Sequence, residues 1–304
     1  MFKMDYKALE NCMLCPRKCG VNRVAGQRGR CKMGAELAVA RAALHYWEET
    51  CISGTEGSGA VFFSGCNMGC IFCQNYQISD GEQGSVITEE RLADIFLELQ
   101  EQGANNINLV TPTHYVPQII TALDMAKKKG MNLPIVYNTS GYECVETLRM
   151  LDGYVDIYLP DYKYRDNALA KEYSHAENYP EMADDAIGEM VRQIGECRFD
   201  EQTGLMKKGV IVRHMVLPGH IQNSKDVLEH LFLKYGNQIY YSIMSQYTPM
   251  PHMSEHKLLH RRVTKREYDR VIDFALNLGI ENGFVQDMEV ALDSFIPAFD
   301  GSGV

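Results

Sequence analysis

Cys66, Cys70 and Cys73 stand in the run Gly65-Cys66-Asn67-Met68-Gly69-Cys70-Ile71-Phe72-Cys73-Gln74-Asn75, three thiols within eight residues with an aromatic just before the last. A four-iron cluster normally takes four cysteine thiolates. A loop that supplies three leaves one iron open to a small-molecule ligand, and that makes the cluster a reaction centre. The competing use of such thiols is a structural zinc knuckle. Zinc sites, however, usually pair their cysteines as C-x2-4-C arms and need a fourth ligand.

A second constellation lies upstream. Cys12, Cys15, Cys19 and Cys31 are spaced C-x2-C-x3-C-x11-C, among Arg17, Lys18, Arg23, Arg28 and Arg30. Four thiols suit one metal. Tetrathiolate zinc would fold this short segment outright, and the neighbouring cations would soften the thiolate charge. An auxiliary iron–sulfur cluster relaying electrons would use the same four ligands. Cys51, Cys144 and Cys197 read as packing residues, the last two on helices.

Elements must position these groups. From Val61 onward, short β-rich runs alternate with amphipathic stretches, as in βα units of a parallel sheet. Strands are expected at 60–64, 106–111, 134–139, 155–163, 210–217 and 239–247, mostly as the continuous apolar runs that two-sided burial demands. Thr88 can cap a helix carrying Leu92, Ile95, Phe96 and Leu99 on one face. Val116, Ile119, Ile120 and Leu123 repeat the stripe, as do Ile187, Met190, Val191 and Ile194. Thr264 with Glu267 forms a capping-box pattern ahead of Val271, Ile272, Ala275 and Leu278. Six βα units are fewer than the eight of a closed barrel. The expected fold is therefore α/β, a partial (β/α)6 barrel over 58–250. A small cysteine-rich, metal-binding N-terminal extension (1–57) precedes it and a helical C-terminal extension (251–304) follows. The first thiol loop directly follows the first barrel strand, at the end where parallel α/β folds gather reactive groups.

Composition narrows the function. The 304 residues can bury a large core. With 40 acidic against 30 basic side chains the net charge is −10, which disfavours nucleic acid as a partner. No apolar run reaches the roughly 18 residues that a membrane helix needs. Met1 to Glu10 mixes polar and apolar residues without a leader pattern, so the ten cysteines are expected to be reduced and the protein cytoplasmic.

The C-x3-C-x-aromatic-C loop resembles the signature of the radical S-adenosylmethionine (SAM) superfamily. Over about residues 58–250 the chain is similar to homologues of the pyruvate formate-lyase-activating enzyme. That resemblance implies Cys66, Cys70 and Cys73 as ligands of a 4Fe-4S cluster whose open iron is chelated by SAM, with Phe72 beside the adenine and a counterpart for Asn75. Tyr137-Asn138-Thr139-Ser140-Gly141 is similar to a third-strand end that lines the cofactor and a monovalent cation, with Asn138 replacing an acid. Asp161-Tyr162-Lys163 matches a D-x-K pattern whose aspartate helps hold that cation and whose lysine meets the SAM carboxylate, a charge-assisted pair. Arg213 matches an arginine near the methionyl part, and Tyr247 stands where a histidine contacts SAM. One departure is clear: the usual Gly-Gly-Glu at the second-strand end is replaced by Val110-Thr111-Pro112-Thr113-His114. Thr111 and Thr113 hydroxyls, or backbone carbonyls, would then accept the SAM ammonium hydrogens. His114 and His214 read as structural histidines rather than acid–base catalysts.

The resemblance implies an oxidoreductase of anaerobic chemistry, fed by a flavodoxin- or ferredoxin-type donor. It would cleave SAM reductively to a 5′-deoxyadenosyl radical and take hydrogen from a substrate, for example a glycyl radical enzyme. Other readings are a peptide-modifying or small-metabolite radical enzyme and, from a different class, a non-catalytic iron–sulfur electron carrier. No cysteine follows Cys197, so a cysteine-rich C-terminal maturase domain is absent from this sequence.

Overall fold

The computed structural model describes residues 7–250, 253, 255–286 and 297–304. Ten strands run in chain order: β1 (Leu37–His45), β2 (Ser58–Phe63), β3 (Ser85–Ile87), β4 (Ile107–Val110), β5 (Ile135–Thr139), β6 (Ile157–Pro160), β7 (Arg198–Phe199), β8 (Met206–Met215), β9 (Tyr240–Met244) and β10 (Gly283–Val285). They join in the order β10-β9-β8-β6-β5-β4-β2-β1-β3, with β7 beside β8. The neighbours from β2 to β10 along this order pair in parallel, and β1 is antiparallel to both β2 and β3. This is an α/β fold with a parallel-dominated sheet. Each of the six expected strands coincides with one of β2, β4, β5, β6, β8 and β9.

The apolar strands are buried because helices cover them. Every residue of β2, β4, β5 and β6 is buried. Helix Glu89–Glu101 begins where the Thr88 hydroxyl accepts the Arg91 amide, and it buries Leu92, Ile95, Phe96 and Leu99. Helices Val116–Lys128 and Tyr179–Ile194 bury their expected stripes, except that Ile120 and Val191 are half-buried. Helix Lys265–Leu278 opens with the Thr264–Glu267 capping box and ends at left-handed Gly279. No helix among the described residues is long and apolar enough to cross a membrane.

Three findings depart from the sequence expectation. β1 lies within 1–57 yet pairs with β2 over 39–45, so that part of the segment belongs to the main sheet. The expected strand 155–163 is only Ile157–Pro160; beyond it Asp161 keeps a single parallel bridge to Arg213, and the side chains of Asp161 and Lys163 line the site described below. Cys197 lies ahead of β7 rather than on a helix, whereas Cys144 is the N-cap of helix Val145–Met150. The C-terminal residues run along β1: the Ala42 amide donates to the Ser302 carbonyl at 2.9 Å, Arg41 pairs with Asp300, and Phe299 meets Phe62 edge-on.

Candidate functional site

A cavity of about 240 Å³ opens at the carboxyl ends of the parallel strands. The loop after β2 brings Cys66, Cys70, Phe72, Cys73 and Asn75 to its wall. β4 is followed by Thr111, β5 contributes Asn138 and Thr139, β6 is followed by Asp161 and Lys163, and β8 supplies Arg213. Side chains from four separate strand ends thus converge on the three thiols.

The thiol loop is shaped by glycine. Gly65 and Gly69 have φ of 84° and 69°, and a Cβ on Gly65 would lie 2.6 Å from the Cys31 carbonyl oxygen. Donors already face the sulfurs. The Ser174 hydroxyl donates to Cys70 Sγ at 2.9 Å and the Met68 amide to Cys66 Sγ at 3.4 Å. Burial pushes the Cys73 thiol up to about 12 and the Cys70 thiol upward too, with Lys163 pulling Cys70 part of the way back. Ligation would therefore release protons. Among the described residues no three His, Cys, Asp or Glu side chains converge tightly enough to hold a single metal ion as they stand. Three thiols on one cavity wall, with N–H and O–H donors aimed at two of them, fit a cluster that spans more space than one ion.

Opposite the thiols lies a shielded charge network. Asp161 Oδ2 accepts from Lys163 Nζ at 2.6 Å and Oδ1 from Arg213 Nε at 3.0 Å. Arg213 also reaches Glu48 at 3.2 Å and donates to Asn138 Oδ1 at 2.6 Å, while Asn138 Nδ2 donates to Glu48 Oε1 at 3.1 Å. Burial alone would raise the Asp161 carboxyl, but the two cations more than reverse it, and it sits below the usual carboxylate range. For Lys163, burial disfavours the ammonium and Asp161 overrides it, so its pKa is raised. Both remain charged at neutral pH. These contacts do not suit the expected monovalent cation: both Asp161 oxygens are taken by permanent cations, and Asn138 brings no charge.

Two expected residues lie off the cavity wall. Thr113 is buried and absent from the cavity lining, its hydroxyl donating to buried Glu143 at 2.6 Å. The Tyr247 hydroxyl donates to the Leu259 carbonyl at 2.6 Å, and its ring packs edge-on against Phe72. Thr139 lines the cavity but also hydrogen-bonds Glu143, whose carboxyl burial raises to about 7. His114 and His214 are buried and lowered by that burial to about 3 and 4. His114 bonds the Ser64 carbonyl, and His214 bonds the Tyr162 carbonyl and Ser224. They are structural.

Sequence reasoning missed Glu48 and its neighbour Trp47, both on the cavity wall. They follow β1, whose antiparallel run along β2 ends with His45 opposite Ser58, so they enter the cavity from the amino-terminal side of the parallel strands, where Glu48 also meets Asn108 of β4. Thr111 also holds an unexpected conformation, φ 58°, in the left-handed region that a β-branched residue rarely adopts. Such strain is held in place by surrounding structure and concentrates at functional sites. Thr111→Gly should therefore melt no lower than the parent. Relief of about 1–3 kcal/mol offsets the roughly 1 kcal/mol that glycine adds in chain entropy. A thermal scan showing a fall of several degrees would contradict this.

Comparison with known proteins agrees with this geometry. The sequence model described as Radical SAM superfamily matches residues 60–231, more than half of the chain. An uncharacterized protein of Methanocaldococcus jannaschii is 28% identical over 275 residues, covering 88% of this chain and 74% of the relative. Among solved structures, HydG, a maturase of the FeFe-hydrogenase, aligns with a TM-score of 0.51 at 16% identity. That alignment covers 72% of this chain and 49% of HydG, so the chain spans about half the length of that structure and the likeness is one of fold. Streptococcus suis SuiB, solved with S-adenosylmethionine bound, aligns with a TM-score of 0.46 at 11% identity, over 75% of this chain and 47% of SuiB.

Proposed function

Because the chain belongs to the radical SAM superfamily, we propose that it cleaves S-adenosylmethionine reductively at a 4Fe-4S cluster held by Cys66, Cys70 and Cys73. The observation that carries this reading is the placement of three thiols, and no fourth cysteine, on a cavity wall that faces a cation-rich network. A reduced 4Fe-4S cluster held by these three thiols would supply the one electron by which a sulfur–carbon bond of SAM is cleaved to methionine and a hydrogen-abstracting 5′-deoxyadenosyl radical. The protein's own groups have distinct tasks. Lys163 and Arg213 attract the SAM carboxylate. In place of a Gly-Gly-Glu element, Glu48 accepts from the SAM ammonium, with Thr111 on the same cavity lining. Phe72 supports the adenine, and Ser174 and the Met68 amide stabilise thiolate charge on Cys70 and Cys66.

On the reading of the parallel strands as a partial six-unit barrel, the substrate enters the cavity at their carboxyl ends. The cavity lining carries Phe62, Met215, Met244 and Pro297, together with His45 at the end of β1 and Trp47 after it, and Trp47 is 56% exposed. An apolar, aromatic lining favours a peptide segment over a small charged metabolite. A backbone glycine of a glycyl radical enzyme is thus the first substrate to test, with flavodoxin or ferredoxin as electron donor.

The test is product formation. Anaerobically reconstituted protein incubated with SAM and dithionite should release 5′-deoxyadenosine and methionine in equal amounts. A protein that carries a full, reducible cluster yet releases neither is an electron carrier, and the proposal fails.

A further inference from the structure

The N-terminal thiols lie on a compact loop system that the radical chemistry does not use. Cys12, Cys15 and Cys31 are buried and Cys19 is exposed. Backbone bonds close the turns around them: the Cys12 amide donates to the Val21 carbonyl, the Gly20 amide to the Cys12 carbonyl, and the Lys18 amide to the Cys15 carbonyl. Lys18, Gly20 and Lys32, which flank Cys19 and Cys31, have positive φ of 42°, 65° and 62°. The two loops touch at the sulfur itself, since the Arg30 amide donates to Cys19 Sγ at 3.4 Å.

Arg23 supplies an independent sign of a negative ligand. It is 1% exposed, donates to the Gly34 carbonyl at 2.9 and 2.6 Å and to the His114 carbonyl at 2.5 Å, and stacks over Tyr115. Its Nη1 lies 4.0 Å from Cys12 Sγ. Those oxygens are neutral, and no carboxylate pairs with Arg23 among the described residues. A guanidinium cannot shed its proton to escape burial, so its charge calls for a counter-charge nearby. The atoms placed to carry it are the cysteine sulfurs.

The same loops grip the catalytic loop. Arg17 donates through Nε to the Asn67 carbonyl at 2.8 Å, and through its terminal nitrogens to the carbonyls of Met68, Ser174 and His175. Arg30 Nη2 reaches the Met68 carbonyl at 3.2 Å. Asn67 and Met68 lie between Cys66 and Cys70, and Ser174 is the hydroxyl donor to Cys70. Two arginines from the four-thiol module thus hold the backbone that carries the three barrel thiols.

We infer that Cys12, Cys15, Cys19 and Cys31 form one tetrathiolate metal centre, charge-compensated by Arg23, which fixes Arg17 and Arg30 against the barrel thiol loop; as they stand these thiols share one loop system without closing on a single point, and the metal draws them together. A divalent ion replaces four thiol protons, which leave to solvent, and the resulting centre carries two negative charges. A zinc ion and an iron–sulfur cluster satisfy the same four ligands, and metal content separates them. Only the bracing of the barrel loop rests on the reading given under Proposed function; the N-terminal centre does not.

The experiment uses the full chain, isolated anaerobically, with zinc and iron measured by mass spectrometry. In the Cys66→Ala/Cys70→Ala/Cys73→Ala variant, stoichiometric zinc, or iron with sulfide, should persist. Adding Cys15→Ser and Cys19→Ser should remove it. A barrel-cysteine variant that is folded by circular dichroism and metal-free overturns the site, whatever the fate of the radical reading. Bracing is tested by Arg17→Ala with all cysteines intact. Iron of the barrel cluster should be lost to a chelator about tenfold faster, the scale expected when a supporting contact to a metal ligand is removed. Unchanged iron loss, with the N-terminal metal retained, overturns the bracing.

Discussion

Cys70→Ala is expected to abolish release of 5′-deoxyadenosine, by at least about a thousandfold, equivalent to about 4 kcal/mol of barrier. The size of the effect follows from the ligand count. Three thiolates already leave one iron to SAM, and two would leave a second iron without a protein ligand, so the cluster would be lost or trapped in a form that cannot bind SAM productively. Cys70 is also the thiol with the fullest support, with Ser174 Oγ at 2.9 Å and Lys163 lowering its pKa against burial. Because no ion pair of the fold involves Cys70, the variant should remain folded, and circular dichroism should match the parent. Iron content and the visible charge-transfer bands should fall together with activity. Retention of full cleavage by a folded Cys70→Ala protein would remove the cluster assignment.

Asp161→Ala is expected to be the most damaging change outside the thiols. It leaves Lys163 without its carboxylate and Arg213 with only Glu48 and Asn138, at side chains that are 17% and 14% exposed. Removing one partner of a shielded pair costs about 3 kcal/mol, the low end of the usual range, because this network faces a cavity. Urea unfolding should register that loss, a large share of a typical folding free energy of roughly 5–15 kcal/mol. The parent's pH dependence has a definite sign. Asp161 is depressed when folded, so its contribution is present above the ordinary carboxylate pKa and disappears as pH falls through the lower folded value. The buried His214, lowered to about 4, adds in the same direction, with its contribution present above the ordinary imidazole pKa and lost as acid charges the ring. His114, lowered to about 3, acts alike, so the parent should lose stability in acid, and Asp161→Ala should lose less of it below pH 4 because one of the contributing groups is gone. Equal stability of variant and parent at pH 7 would contradict the network's role.

Much of the site was legible because strand ends carry it. The continuous apolar runs before Thr111, at Val136 to Thr139, before Asp161 and before Arg213 read as buried strands, and the chemistry-bearing residues sit at their carboxyl ends. What escaped has physical causes. β1 reads Leu-Ala-Val-Ala-Arg-Ala-Ala-Leu-His, a run in which alanine hides the strand preference, and without β1 nothing brings Glu48 to the cavity. Strands β3, β7 and β10 are two or three residues long and too short to leave a periodic signal. Thr113 and Tyr247 have fitting residue types but are buried off the cavity lining, their hydroxyls donating to Glu143 and to the Leu259 carbonyl, which only the folded chain shows. Thr111 carries a left-handed φ that no sequence pattern announces.

The central claim is one iron without a protein ligand beside Cys66, Cys70 and Cys73. Mössbauer spectroscopy of the Cys15→Ser/Cys19→Ser protein, loaded with iron-57 and recorded with and without SAM, tests it most directly. The account predicts one iron in four whose isomer shift moves when SAM is added, while the other three hold still. Four equivalent irons that ignore SAM, or a site filled by zinc alone, would contradict it.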